Sequence, residues 1–102
     1  MIYFLGIDIG TTSTKAVAFS PAGEIITSFV TAYEMYHPQP NRSEQNPDEI
    51  LQAVTTGINK VLEKLSPELP TFISFSAAMH SLLALDENEN QLTPLIIWAD
   101  NR

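Results

Sequence analysis

The residues best equipped for chemistry lie in one stretch, Gly6–Lys15, which reads GIDIGTTSTK. Asp8 closes an apolar run and Gly10 follows two residues later. Thr11, Thr12 and Ser13 then bring three hydroxyls and three backbone N–H groups into a tight turn, and Lys15 adds a positive charge just beyond it. A turn of this kind can aim its donors at phosphate oxygens as an anion-binding nest. Asp8 suits a hydrated Mg²⁺, an ion that keeps several waters and uses one or two carboxylates. Neutralised charge, a held phosphate and a placed metal are the parts that phosphoryl transfer needs. Gly10 is expected to supply a backbone conformation closed to residues with a side chain. The competing reading is a polar hairpin with Asp and Gly as turn formers. Asp-x-Gly alone favours that reading, but the whole string D-I-G-T-T-S-T-K between two apolar strands is far more specific. The G-x-x-x-x-G-K-[ST] spacing of a P-loop is absent, and the turn leads into a strand instead of a helix.

Such a turn must be carried by a sheet. Ile2–Ile9 (IYFLGIDI) is almost continuously apolar, the pattern of a strand buried on both faces. Thr14–Ser20 reads as a second strand, Pro21-Ala22-Gly23 as a tight turn and Glu24–Tyr33 as a third strand. Connections this short predict an antiparallel meander. Glu34–Asn46 is a polar, proline-punctuated loop. A helix then begins with Asn46 as N-cap, Pro47 in the first helical position and Glu49 completing a capping box. Ile50, Leu51, Val54, Ile58, Val61, Leu62 and Leu65 repeat at helical spacing. Pro67 disfavours helix at Ser66, so the helix is expected to end near Leu65. Thr71–Ala78 follows as a fourth strand, parallel to an earlier one. Leu82–Asp86 and Leu92–Trp98 form a hairpin whose second arm, carrying Pro94, is an edge. The predicted order is β-β-β-α-β plus a β-hairpin, an α/β arrangement. One helix can cover only one face of so apolar a sheet. The other face is expected to meet more of the same polypeptide or another copy.

The composition narrows the classes. A chain of 102 residues with 44% hydrophobic and 17% charged content is one small globular domain. Its net charge of −7 and five scattered basic residues leave no footprint for nucleic acid. Without cysteine there is no disulfide framework and no thiolate metal site. No apolar run approaches the ~18 residues of a membrane span, and no basic leader opens the chain. A cytoplasmic protein is expected.

A second set of candidates lies late in the chain. His80 follows the fourth strand and is either a substrate contact or a structural hydrogen-bonder. Trp98 either stacks on an apolar ligand face or plugs the end of the hairpin. Asp100 and Arg102 can hydrogen-bond or charge-pair with a ligand, and Arg102 suits a carboxylate through bidentate bonds or else frays at the chain's last residue. His37 is expected to be solvated. Two histidines so far apart give no metal signature.

The string DIGTTSTKAVAF followed by PAGEII resembles the first phosphate-binding hairpin of the sugar kinase, hexokinase and actin superfamily, which has a ribonuclease H-like fold. Within it, the chain resembles the FGGY carbohydrate kinases. EQNPDEI is similar to that family's E-Q-x-P helix entry, and MHSLLALDENENQLTPLIIWADNR to its sugar-site segment. LTPLIIWADNR looks closest to the gluconate kinase branch, with xylulose kinases next. The resemblance spans essentially the whole chain. It implies ATP and Mg²⁺ as cofactors and a sugar or sugar acid as substrate. Asp8 then falls beside Mg²⁺ and the transferring phosphate. Gly10, Thr11, Thr12, Ser13 and Lys15 fall on the phosphate-contacting turn, and Met79, His80, Trp98, Asp100 and Arg102 on or near the sugar pocket. Arg42 and Ser43 stand where the family usually has an aromatic or Gly-Trp pair. Family members are several times longer, and their catalytic base lies downstream. The chain is therefore expected to be the N-terminal portion of the first kinase domain, inactive alone, with self-association through an uncovered sheet face. A nucleotide-switch ATPase or activator domain on the same fold is the alternative, against which the MHSLLALD and WADNR segments argue.

Overall fold

The computed structural model describes all residues, Met1–Arg102. Three strands open the chain: β1 (Phe4–Ile9), β2 (Ser13–Phe19) and β3 (Ile25–Ala32). A two-residue strand β4 (Glu44–Gln45), the helix α1 (Pro47–Leu65), β5 (Ile73–Ala77) and β6 (Leu95–Ile96) follow. The main sheet runs β3-β2-β1-β5. The β1–β2 and β2–β3 pairs are antiparallel, as two tight turns require, and β5 returns parallel to β1 after the helical crossover. The predicted α/β order is therefore observed.

The core forms where α1 lies across β1–β3. Tyr3, Leu5, Ile7, Ala16, Ala18 and Val61 are buried together, with Phe29, Val54, Ile58 and Leu65 packed around them. The helix touches the sheet along Ala53, Gly57 and Val61, one residue per turn. A Cβ on Gly57 would stand 3.2 Å from the Cβ of Ala16, so two small residues set the helix-to-sheet distance. Counting only large apolar residues misses this stripe. It also misplaces Leu51, which is 64% exposed.

The helix ends are as predicted, with one difference in the cap. Asn46 Oδ1 accepts from the Asp48 amide at 2.9 Å. Glu49 does not close a capping box; its carboxylate accepts from the Tyr36 hydroxyl instead. At the other end Ser66 is extended, with ψ 140°, because Pro67 crowds a helical conformation there.

Two further expectations are corrected. The 34–46 segment is not only a loop. Its Glu44 and Gln45 pair with Ile96 and Leu95 as a second, two-stranded sheet. The late hairpin consequently has only isolated bridges between its own arms, at Leu85–Gln91 and Leu82–Ile96, because the second arm spends its pairing capacity on β4. The face of the main sheet away from α1 is also less apolar than expected. Cross-strand partners share a face. Asp8, Lys15 and Ser76 are such partners, so this face is polar toward one end. The bare apolar surface centres on β5, where Ile73 and Phe75 extend the helix-side face beyond the reach of α1 and remain 41% and 59% exposed.

Enlarging residue 57 should force the helix off β2. Gly57→Val is expected to destabilise the chain by about 1–3 kcal/mol through overpacking, whereas Leu51→Ala should change stability by no more than about 0.5 kcal/mol. Urea midpoints of the two variants check the order, and the reverse order would refute the stripe.

Candidate functional site

The candidate site lies outside the carboxyl ends of β1 and β5, the place where open α/β sheets receive ligands. β1 is apolar because it is paired on both edges. It ends at Ile9, and the chain turns through Gly10–Thr12 before β2 begins. Gly10 donates its N–H to the Ser13 carbonyl at 2.9 Å. A Cβ at Gly10 would lie 3.0 Å from that same oxygen. The glycine is therefore needed for close approach and not for a left-handed backbone, since the positive-φ glycine of the chain is Gly23 in the next turn.

All three carbonyls of this turn are tied from outside it. Gly10 accepts from the Tyr33 hydroxyl, Thr11 from Gln45 Nε2 at 2.6 Å, and Thr12 from the Tyr33 amide at 3.1 Å. The N–H groups of Thr11 and Thr12 have no such partner in the chain and remain available as donors. Asp8 and Lys15 are direct cross-strand partners on the open face, and Ser76 flanks Asp8 on its other edge. Both charged side chains are exposed. With Ser74, Val17 and Phe19 they line an open groove of about 330 Å³.

The late segment comes to the same end of the sheet. The Ala78 amide donates to the Ile9 carbonyl at 2.9 Å, which continues the β1–β5 pairing into the turn. A crevice of about 180 Å³ opens here between Gly10, Thr11, Gln45, Ala78, Ser81 and Trp98. Trp98 Nε1 donates to Thr11 Oγ1 at 3.2 Å, joining residues 87 positions apart. The indole remains 58% exposed, so it neither plugs the hairpin nor is sealed from a ligand. Met79 and His80 are exposed beside this crevice wall, and their neighbours Ala78 and Ser81 line it. His80 holds φ 63°, a left-handed conformation uncommon outside glycine.

Asp100 and Arg102 do something else. The Asp100 side chain is 3% exposed. It accepts from the Ser43 amide at 2.8 Å and from Arg102 Nε and Nη2 at 2.8 and 2.7 Å. Arg102 Nη2 also reaches Glu44 Oε2 at 2.6 Å. The last residue is thus not frayed, and its bidentate fork is filled by Asp100 rather than free for a ligand carboxylate. This network pins the 97–102 segment to β4 and hence to Gln45. Ser43 serves it through its backbone amide. His37, expected to be merely solvated, has Nδ1 3.0 Å from the Arg42 carbonyl and 3.2 Å from Ser43 Oγ.

Tyr33 and Gln45 are the site residues that motif reading passed over. A signal existed for Tyr33: the meander register pairs Ser13 with Ala32, which sets residue 33 beside the turn. For Gln45 there was only the E-Q pair at the helix entry. The largest groove, about 520 Å³ between β4, the start of α1 and residues 91–94, holds none of the predicted site residues.

The Arg102 guanidinium, helped by the Arg102 and Ser43 amides, holds the Asp100 carboxyl well below the usual carboxylate range. A depressed folded-state value stabilises above the unfolded value of ~3.9 and is lost as the pH falls through the folded one. Asp100 should therefore stay ionised at pH 3, where exposed carboxylates are mostly protonated. Carboxyl ¹³C titration checks this, and a midpoint near 4 would remove the network from the fold's acid stability.

Residues 3–102 match the model of the FGGY family of carbohydrate kinases, N-terminal domain. A gluconokinase from Bacillus licheniformis is 54% identical over 100 residues, which are 98% of this chain and 20% of the relative. A xylulose kinase from Staphylococcus xylosus is 33% identical over 102 residues, all of this chain and 21% of the relative. The crystal structure of gluconate kinase from Lactobacillus acidophilus superposes with a TM-score of 0.92 at 34% identity, over 98% of this chain and 20% of that one. The chain spans about a fifth of the length of the relatives it matches. On sequence and fold alike, this chain belongs to the FGGY family of carbohydrate kinases.

Proposed function

We propose that this chain is the N-terminal portion of the first domain of a cytoplasmic sugar kinase, which transfers the γ-phosphate of ATP to a hydroxyl of a sugar or sugar acid. The observation that carries the reading is one arrangement at the end of β1. A turn with its carbonyls tied back and two amides free stands beside Asp8, Lys15 and a crevice lined in part by Trp98. Gluconate is the first substrate and xylulose the second, because the gluconokinase relative is 54% identical and the xylulose kinase 33%.

The residues present fit the roles. The amides of Thr11 and Thr12, with the hydroxyls of Thr11, Thr12 and Ser13, would grip phosphate oxygens, and Gly10 lets the turn close. Asp8 is an exposed carboxylate able to hold a hydrated Mg²⁺. When bound, Mg²⁺ offsets the charge that builds on the phosphates. Lys15 adds a fixed positive charge on the same face. Met79, His80 and Trp98 would meet the sugar, with the indole offering a flat apolar surface. Asp100 and Arg102 would act on the sugar side by holding the Trp98 segment in place. The base that removes the sugar's proton lies, on this proposal, in the rest of the polypeptide, so the 102 residues alone should not turn over. The single helix, α1, is not long and apolar enough to cross a membrane. The similarity to sugar kinases favours this reading over a nucleotide switch on the same fold.

The test is ATP consumption by the full-length polypeptide with Mg²⁺, offered gluconate, xylulose and glycerol in parallel. Turnover is expected with gluconate, and Asp8→Asn should lower kcat on the order of 100-fold, as the loss of several kcal/mol of metal-assisted stabilisation implies. Nucleotide binding without transfer to any sugar would move the protein to the switch class.

A further inference from the structure

The ties on the turn carry an argument beyond fold stability. In a planar peptide the C=O of one residue and the N–H of the next point in opposite directions within one rigid unit. Fixing the carbonyls of Gly10, Thr11 and Thr12 therefore fixes the N–H groups of Thr11, Thr12 and Ser13. The donors that do this come from two separate elements. Tyr33, just past the end of β3, supplies its hydroxyl to Gly10 and its amide to Thr12. Gln45, 4% exposed in β4, supplies Nε2 to Thr11.

Each donor is itself oriented. The Tyr33 proton goes to Gly10, so the buried Thr14 hydroxyl, 3.2 Å away, donates to the Tyr33 oxygen. Gln45 is paired with Leu95 of β6 and stands one residue before the helix cap. The β4–β6 ladder is tied down in turn by Arg102 and Asp100. A turn free to flip its peptide planes would present carbonyl oxygens to an anion as often as amides. Clamped by its carbonyls, it presents donors only.

We infer that Tyr33 and Gln45 are positioning residues for nucleotide phosphate. They hold the peptide planes of Gly10–Ser13 so that the amides face the ligand. Neither residue touches the phosphate. The inference rests on the kinase reading above.

Two near-isosteric variants test it, Tyr33→Phe and Gln45→Met, each removing a donor while keeping bulk. Backbone ¹⁵N order parameters are read without ligand, and kinetics in the full-length polypeptide. The order parameters of Thr11, Thr12 and Ser13 should fall from the rigid-backbone value of about 0.85 toward about 0.6, while those of Val17 and Ala18 stay unchanged. The KM for Mg·ATP should rise about tenfold in both variants, the equivalent of one lost hydrogen bond, with the sugar KM unchanged in Tyr33→Phe, since Tyr33 does not line the crevice. Lower order parameters with an unchanged ATP KM would overturn the inference and leave the kinase reading standing. A fall in apparent kcat with both KM values unchanged would mean only a loss of folded protein, and would overturn it too. If the unsubstituted protein neither transfers phosphate nor shows Thr11–Ser13 amide shifts with Mg·ATP, the kinase reading itself falls and takes the inference with it.

Discussion

Everything in this fold follows from pairing β1 on both of its edges. A six-residue strand with this much apolar side chain cannot stand at an edge without exposing both its backbone and its faces. One edge is closed at once by the antiparallel return of β2. The other can be closed in parallel only after a crossover, and α1 is that crossover. The same helix then covers the face that carries Leu5 and Ile7. Two parallel strands ending side by side create the crevice, and the tight turn at the end of β1 forms part of its lining. The candidate site is thus a direct consequence of how a buried strand finds its partners.

The second layer of organisation is polar and long-range. A chain with twelve acids and five bases might be expected to scatter its carboxylates in solvent. Asp100 is instead buried against Arg102 and a backbone amide, and Glu44 joins the same guanidinium. A buried carboxylate is tolerable only when paired and hydrogen-bonded, and this one is held by three groups. Its effect is to fasten the end of the chain to β4, which carries Gln45. Gln45 and Trp98 then meet Thr11 from two sides. The Gly10–Thr12 turn, β4 and the Trp98 segment are therefore joined at one threonine.

Local pattern determined a great deal here. Pro21-Ala22-Gly23 made a turn because Gly23 tolerates φ 83°. Asn46 and Pro47 began the helix, and Pro67, two residues on, ended it at Leu65. These are decisions made by a few adjacent residues through their own sterics and hydrogen bonds, so they are visible in the linear text. The motif GIDIGTTSTK likewise marked the turn, and its flanking apolar runs marked the strands on either side.

Other features rest on residues that are distant in sequence, and only the folded chain decided them. Glu44 and Gln45 carry no strand signal of their own; they pair because Leu95 and Ile96 arrive beside them. Gly57 reads as a weak point in a helix until Ala16 is seen opposite it. Arg102 looks like a free ligand for a carboxylate until Asp100 fills its fork. The sequence by itself determined which segments are helix, strand and turn, because those choices depend on neighbours in the chain. The tertiary structure decided which donor holds which carbonyl, because the hydrogen bond from Gln45 to the Thr11 carbonyl exists only once the sheets have set their register.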